Sequence, residues 1–434
     1  YPVGLSLNIG DIILEEDAHL LDEVVVTART EARKQSLERT SINASANMAS
    51  SKGSAIDVLS SASSVTISND IISIRGNSNI LILLDGIPTT VSDLSAIPAA
   101  NIKNIDIITN PDASYDAEGT GGIINIVSKK GSAKGFSGVV SANYGFNHFV
   151  TGNAAFTYNR PKASYRFIYN TKYEDDVVNT TLERTLHHTA NQTLQKMQAT
   201  RYTYNNNLGL GADFRINSRN TLNLDLKCII PRLNVSQNLQ NTFVGQGFDK
   251  TESRHNDVTW NRENLEATIA YKHIIKPEIS DISIKGSISK IWGHRPSYYF
   301  LEGNEVNRSN SGGSPFITAL QGDYTRKYKV GVLRAGAKVS YRSNDIYHQF
   351  YSNENGEWIY SESFSNDLLH TEFVPAAYLM FASGIGNRFS YKAGLRGEFS
   401  TVTLDSTHEN LKERKNSFFL APSLSGTYKL TGND

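Results

Sequence analysis

The segments IISIRG (71–76), ILILLDGIP (80–88), IDIITNP (105–111), YDAEG (115–119) and GGIINIV (121–127) follow one another in this chain. Their apolar runs are short and rich in isoleucine, which is typical of strands buried on both faces. Asp85-Gly86 predicts a hairpin turn, because glycine tolerates the positive φ that a tight primed turn requires. The segments together predict a small α+β domain.

Two further features of this region bear on its local structure. Ile102 and Ile105 have helical spacing after Pro98, so we expect a helix over 98–105. The glycines within 119–122 lack the Lys-Ser/Thr of a phosphate-binding loop, and we interpret them as a turn where two backbone segments pass close together.

The order of the segments resembles the plug domain of TonB-dependent outer-membrane transporters. In that family an Ile-Arg-Gly strand, a Leu-x-Asp-Gly turn and a Gly-Gly-Ile-Ile-Asn-Ile strand occur in the same order. Many members have Gly-Pro at Asn110-Pro111 and Tyr-Gly at Tyr115-Asp116, so details of these turns differ. The resemblance implies a plug domain over residues 41–134. Its predicted turn residues are Gly76, Asp85, Gly86, Gly121 and Gly122.

Composition excludes several classes of protein. Lys plus Arg and Asp plus Glu are both 43 among 434 residues, and this balance argues against a nucleic-acid partner. A mean hydropathy of -0.36, with no run of about 18 apolar residues, excludes a helical membrane span but not a barrel, whose strands only alternate. The single cysteine, Cys228, excludes an intrachain disulfide.

Beyond residue 130 the hydrophobic period changes to two. Apolar and polar residues alternate over 208–216, 222–228, 334–342, 388–399 and 420–430. Alternation over about ten residues is typical of a transmembrane antiparallel β-barrel, with apolar side chains in lipid and charged side chains in a wet lumen. The fold class we predict is therefore mostly β: a membrane barrel over 135–434 with the small α+β plug in its lumen.

Connections and strand number give two more expectations. The polar stretches 174–196, 241–260, 303–321 and 401–416 are predicted to be long outer loops that help to capture ligand. We count roughly a dozen to fourteen strands, against about 22 in plugged transporters. We therefore expect the chain to lack some C-terminal barrel strands, as well as the front of whatever domain precedes it.

The N-terminal part is predicted to contain a partner-binding segment. Residues 1–20 alternate from Val3 to Ile9 and resemble the tail of a carboxypeptidase-regulatory-like extension; residues 21–40 follow as a binding segment and linker. The segment itself consists of Asp22, Glu23, Val24, Val25, Val26, Thr27 and Ala28. A β-branched run of this kind can add as a strand to a partner sheet. It is similar to the TonB box; the alternative is an ordinary edge strand or linker.

The candidate site residues are polar anchors rather than catalytic groups. The resemblance places Arg75 where a plug arginine contacts barrel carboxylates, and Glu266 and Glu398 are the candidate partners. The alternative is a solvated surface arginine. His187-His188 and the acidic run 174–176 are interpreted as loop polarity, so no metal site and no cofactor is predicted. The chain lacks a Gly-x-Ser-x-Gly elbow and a His-Glu-x-x-His motif, and we predict no enzyme activity.

The function that the resemblance implies is TonB-dependent active uptake of a scarce or bulky ligand across the outer membrane of a Gram-negative bacterium. Its implied partners are the TonB energy-transducing complex, outer-membrane lipid and an extracellular ligand, and it allows a surface lipoprotein. Iron chelates, cobalamin, glycans and peptides are all carried by proteins of this type. The alternative is a passive porin or surface adhesin, which accounts for residues 135–434 but not for the order of the segments within 71–130.

Overall fold

The structure is a computed structural model, and it describes most of the C-terminal two-thirds of the chain and parts of the N-terminal third. The described residues are 33–35, 39–43, 55–62, 64–68, 71–78, 80–84, 87–88, 102–109, 121–128, 135–145, 148–186, 191–245, 248–386, 388–406, 408 and 410–428.

The N-terminal region forms a six-stranded sheet, a two-stranded sheet and one short helix. Its elements are β1 Arg33–Gln35, β2 Thr40–Asn43, α1 Ala55–Ser60, β3 Val65–Ser68, β4 Ile71–Ile74, β5 Leu81–Leu84, β6 Ile87–Pro88, β7 Ile102–Ile108 and β8 Ile123–Ser128. The larger sheet has the order β1-β2-β7-β8-β5-β6, in which only β5 and β8 run parallel; β3 pairs with β4.

The isoleucine-rich runs form the core of this region, as the sequence predicts. Ile105 and Ile107 of β7 and Ile124 and Ile126 of β8 are at most 1% exposed. They pack in one cluster with Val58 and Leu59 of α1 and with residues of β2, β3, β4 and β5, which joins the helix and both sheets. Leu84 pairs with Ile87, so the predicted hairpin is present, although Asp85 and Gly86 themselves lie outside the described residues.

The expectation of a helix over 98–105 is wrong, because Ile102–Ile108 is strand β7. The pairing of β7 with β8 shifts register between Ile102 and Asn104. A bulge of this kind adds one residue to a strand, so side chains three residues apart face the same side. Ile102 and Ile105 are accordingly both fully buried. The bulge, and not a helix, explains why these two buried residues are three positions apart.

The rest of the chain forms one large antiparallel sheet. Its strands are β9 Gly135–Gly145, β10 Phe149–Asn159, β11 Ala163–Leu186, β12 Asn191–Arg215, β13 Asn220–Gly245, β14 Phe248–Lys276, β15 Ser280–Leu301, β16 Asn304–Gly313, β17 Phe316–Tyr328, β18 Gly331–Glu354, β19 Glu357–Tyr360, β20 Asn366–Ile385, β21 Phe389–Ser406 and β22 Leu411–Tyr428. A 3-10 turn, Glu362–Phe364, connects β19 to β20.

In the described residues this sheet has 14 strands, within the predicted number, and consecutive strands are mostly neighbours. β16 and β17 both lie between β15 and β18, so they are two parts of one strand interrupted at Ser314-Pro315. The short β19 pairs with β18. The end strands of the order are β9 and β22. Among the described residues, no helix is long and apolar enough to cross a membrane.

The expectation of four long outer loops is wrong for most of the residues concerned. Strand β11 continues to Leu186 and β12 starts at Asn191, so most of 174–196 is paired strand. Most residues of the stretches 241–260, 303–321 and 401–416 also lie in strands. Alternation arises where the two faces of a strand meet different environments, here lipid on one side. Where water meets both faces, polar residues occupy both and the strand carries no period-two pattern.

Candidate functional site

The large sheet has one apolar and one polar face, and their burial is the reverse of that in a soluble protein. Leu226 is 43% exposed, Ile269 51% and Leu379 54%, whereas Asn170 is 6% exposed and Arg396 2%. Exposed leucine and isoleucine along regular strand faces suit contact with lipid, and buried charged side chains suit an enclosed polar interior. The sheet therefore has the polarity of a transmembrane barrel wall.

The strands are much longer than a membrane requires. β13 has 26 residues and β14 has 29, whereas a tilted strand crosses the hydrocarbon core in about 9–11 residues. We call the end of the sheet with the turns at 160–162, 216–219 and 277–279 the lower end. The exposed leucines of β12, Leu208 and Leu210, lie near that end, whereas residues 192–201 of the same strand are mostly polar. The upper parts of the strands thus extend beyond the lipid.

On the inner wall, Arg166 links three strands. Its Nη1 pairs with Asp213 of β12, and its Nη2 donates to Oδ1 of Asp225 of β13 at 2.8 Å. Gly211 lies directly opposite Arg166, and a Cβ there would be 2.7 Å from Nη2. Glycine at this position leaves the space in which the guanidinium lies between its two carboxylates.

A second inner-wall group lies across β17, β18, β20 and β21. Asp323 accepts from the Tyr378 hydroxyl at 2.5 Å, and these two side chains cross over Gly336, where a Cβ would be 2.6 Å from Cε1 of Tyr378. Next to Tyr378 in the register, Arg396 donates from Nε to Oε1 of Glu398 at 2.6 Å. The inner wall thus carries paired polar and charged side chains, and at Gly211 and Gly336 these side chains lie over a glycine.

A third polar group lies in the N-terminal region. Asp106 of β7 is 2% exposed and accepts from Arg39 Nη1 at 2.9 Å, Ser41 Oγ at 2.7 Å and Asn104 Nδ2 at 2.6 Å. Charge-assisted hydrogen bonds of this length are strong, and they compensate the desolvation of the carboxylate. This group fastens β2 to β7.

The structure does not bring the three predicted anchor residues into contact. Arg75 is exposed with a φ of 51°, and no described ion pair joins it to either glutamate. Glu266 accepts from Asn264 at 2.7 Å, and Glu398 is paired with Arg396. The plug–barrel anchor stays a prediction.

Three of the predicted turn glycines have conformations or surroundings that require glycine. Gly76 has a φ of 81°. A Cβ at Gly121 would collide with the side chain of Asn77. Gly122 has a φ of 142°, and a Cβ there would lie 2.8 Å from Cδ1 of Ile74 and 3.1 Å from the Ile108 carbonyl oxygen. The predicted binding segment, residues 22–28, lies outside the described residues.

Acidic residues of the run at 174–176 form ion pairs with basic side chains in the upper part of the wall. Glu174 pairs with Lys172 at 3.1 Å, and Arg201 binds Asp176 through both carboxylate oxygens. The hydrogen bond from Arg201 lowers the pKa of Asp176 below its usual value. Among the described residues no cluster of His, Cys, Asp or Glu is arranged to hold a metal ion.

Sequence reasoning missed the inner-wall and Asp106 groups. The signal available was their position: Arg166 and Asp225 occupy polar positions of an alternating strand, and Asp106 interrupts an isoleucine run. Which acidic side chain pairs with which basic side chain depends on the strand register, and the alternation of apolar and polar residues does not specify that register.

Comparison with known proteins agrees with this architecture. Residues 31–123 match a family model described as TonB-dependent Receptor Plug Domain, and residues 280–434 match one described as Outer membrane protein beta-barrel family. The chain belongs to the TonB-dependent receptor family. It is an outer-membrane receptor and transporter of Gram-negative bacteria rather than an enzyme, and the family implies coupling to TonB and an extracellular ligand.

The solved structures that match the chain include outer-membrane receptors, at low identity and low TM-score. The ferric yersiniabactin uptake receptor FyuA from Yersinia pestis is 10% identical, with a TM-score of 0.43 over 91% of this chain and 79% of that one. The alcaligin receptor FauA from Bordetella pertussis is 10% identical, with a TM-score of 0.38 over 93% and 86%. No curated protein sequence matches the chain. The family models carry the assignment.

Proposed function

We propose that this TonB-dependent receptor takes up a scarce or bulky ligand when TonB binds residues 22–28 and displaces the plug. The observation that carries the proposal is the succession of a plug-type sheet and a wall with an apolar outer face and a polar inner face. A β-branched segment ahead of the plug can add as a strand to a partner sheet, with main-chain hydrogen bonds supplying the affinity. The lumen then opens without covalent chemistry.

The division of the chain follows from this proposal. Residues 1–20 are an N-terminal extension, 21–40 the TonB-binding segment and linker, 41–134 the plug and 135–434 the barrel. The start of the large sheet at β9 supports the last boundary. The described strands β1 and β2 lie in or at the border of the linker. Since β1 pairs with β2 and β2 pairs with β7, we infer that the plug sheet begins before residue 41.

We propose that the plug is anchored to the wall through Arg75. Arg75 is exposed, and Glu266 and Glu398 lie on the strand faces that carry the other inner-wall charges. Glu398 is paired with Arg396, so Arg75 replaces Arg396 at this carboxylate when the plug seats, and the carboxylate stays paired in both positions. Glu266 accepts a hydrogen bond from the neutral Asn264, and Arg75 adds a charged partner there.

The ligand and a surface lipoprotein partner are not specified by these observations. Iron chelates, cobalamin, glycans and peptides all fit a transporter with a polar inner wall. The proposal therefore rests on energy coupling and not on a particular cargo.

The test of the proposal is binding of the periplasmic domain of TonB to the full chain, compared with Val25→Pro. Proline removes a backbone donor and does not fit inside a paired strand, so we expect affinity to fall tenfold or more, about 1.4 kcal/mol. Leu20→Pro, just outside the segment, is the matched control and should bind like the unmodified chain. Absence of binding by every form would instead favour a passive porin or adhesin, and equal binding by Val25→Pro would place the contact elsewhere.

A further inference from the structure

The buried carboxylate of Asp106 ties the N-terminal edge of the plug sheet to the rest of the plug. Two of its three donors, Arg39 and Ser41, belong to the chain at the start of β2, and Ser41 is also the cross-strand partner of Asp106. Asn104 bonds both Asp106 and Ser41, at 2.6 and 3.1 Å. Removing β2 from β7 would therefore take away two of the three donors described for this carboxylate.

Strands β1 and β2 form one detachable unit. β1 lies at the edge of the sheet and pairs with β2 over three residue pairs, and β2 pairs with β7 over four. The apolar contribution of β2 to the core is Ile42, which is 5% exposed. Among the described contacts, the hairpin of β1 and β2 is held by this short ladder, by Ile42 and by the bonds to Asp106.

The hairpin is also the part of the plug nearest in sequence to residues 22–28. Tension applied there passes along the backbone and reaches β1 and β2 before α1 and β3–β8. Resting on the function proposed above, we propose that Asp106 is a latch: its bonds to Arg39 and Ser41 hold the hairpin on β7, and their rupture makes the hairpin the first part of the plug to detach. Asp106 is a positioning residue, since it acts by holding β2.

Hydrogen exchange of the full chain tests the latch without ligand or TonB. In Asp106→Asn the charge is lost while the size is kept, and we expect amides of 33–43 to exchange at least tenfold faster while those of 123–128 keep their rate. Lys103→Gln, which removes an exposed charge from the same strand, is the control and should change neither peptide. An unchanged rate at 33–43, or an equal increase throughout the plug, would overturn the proposal.

A cross-link separates this proposal from the proposed function. Ser41→Cys and Asp106→Cys, combined with Cys228→Ala, place two thiols on directly opposed residues, which suits a disulfide. When the chain is pulled through a tethered TonB periplasmic domain, we expect the hairpin of β1 and β2 to detach at a lower force in the reduced form than in the oxidised form. Because both forms lack Asp106, this comparison tests only whether the hairpin is the first part of the plug to detach, and equal rupture force in both forms would overturn that part of the proposal. Failure of either form to bind TonB would refute the proposed function, and the exchange experiment alone would then decide the latch.

Discussion

Placing an arginine on the apolar face tests whether that face lies in lipid. Leu226 is 43% exposed and lies six residues after Asn220, the first residue of β13. At a rise of about 3.3 Å per residue and a tilt of about 40°, it lies about 15 Å above the lower end, near the middle of an apolar band about 25 Å tall. Arginine at the midplane costs about 2–4 kcal/mol. We expect Leu226→Arg to lower the free energy of unfolding by that amount.

The matched control is Gln240→Arg, on the same strand and the same face. It lies twenty residues after Asn220, which places it about 50 Å above the lower end and well outside the band. We expect a change of less than about 1 kcal/mol there. The assay is urea unfolding of the full chain in phosphatidylcholine vesicles, followed by the fluorescence of its 3 tryptophans. Equal stability of the two variants would refute the lipid-facing assignment.

Three further predictions concern the plug and the wall. Gly122→Ala should destabilise the plug by about 3 kcal/mol through backbone strain and overpacking, and Gly76→Ala, with open space around it, by about 1 kcal/mol, measured by hydrogen exchange. Arg166→Gln should cost about 3 kcal/mol in the urea assay, and adding Asp225→Asn should recover part of it. A hydrogen bond from its arginine neighbour lowers the pKa of Glu252. The stabilisation that Glu252 provides is therefore present above the usual glutamate range and lost as the pH falls. Protection of the amides at 248–254, corrected for the intrinsic exchange rate at each pH, should fall in acid, and less so in Glu252→Gln.

The elements that could be predicted from sequence are those whose pattern is local. The isoleucine runs around Ile74 and Ile124 became the plug core, and the leucines of β12 and β13 became an exposed apolar face, because each pattern reflects a single environment along the strand. The segment order within 71–130 also led to the family, which no single tripeptide would have done.

The parts that sequence reasoning missed depend on non-local contacts. The bulge next to Ile102 produced a false helical spacing, and strands above the lipid lost alternation and resembled loops. Arg166 is 47 residues from its partner Asp213 in sequence, and Asp106 is 67 residues from its partner Arg39. Such pairs follow from register and packing, which periodicity alone does not supply.

Energy-dependent exposure of the plug core tests the account most directly. Ala62 is 6% exposed within the plug core, so Ala62→Cys in a Cys228→Ala background reports opening through its reaction with a membrane-impermeant maleimide in whole cells. We predict faster labelling in energised cells than after a protonophore, with the difference abolished by Val25→Pro. Equal labelling with and without energy would contradict TonB-driven displacement of the plug.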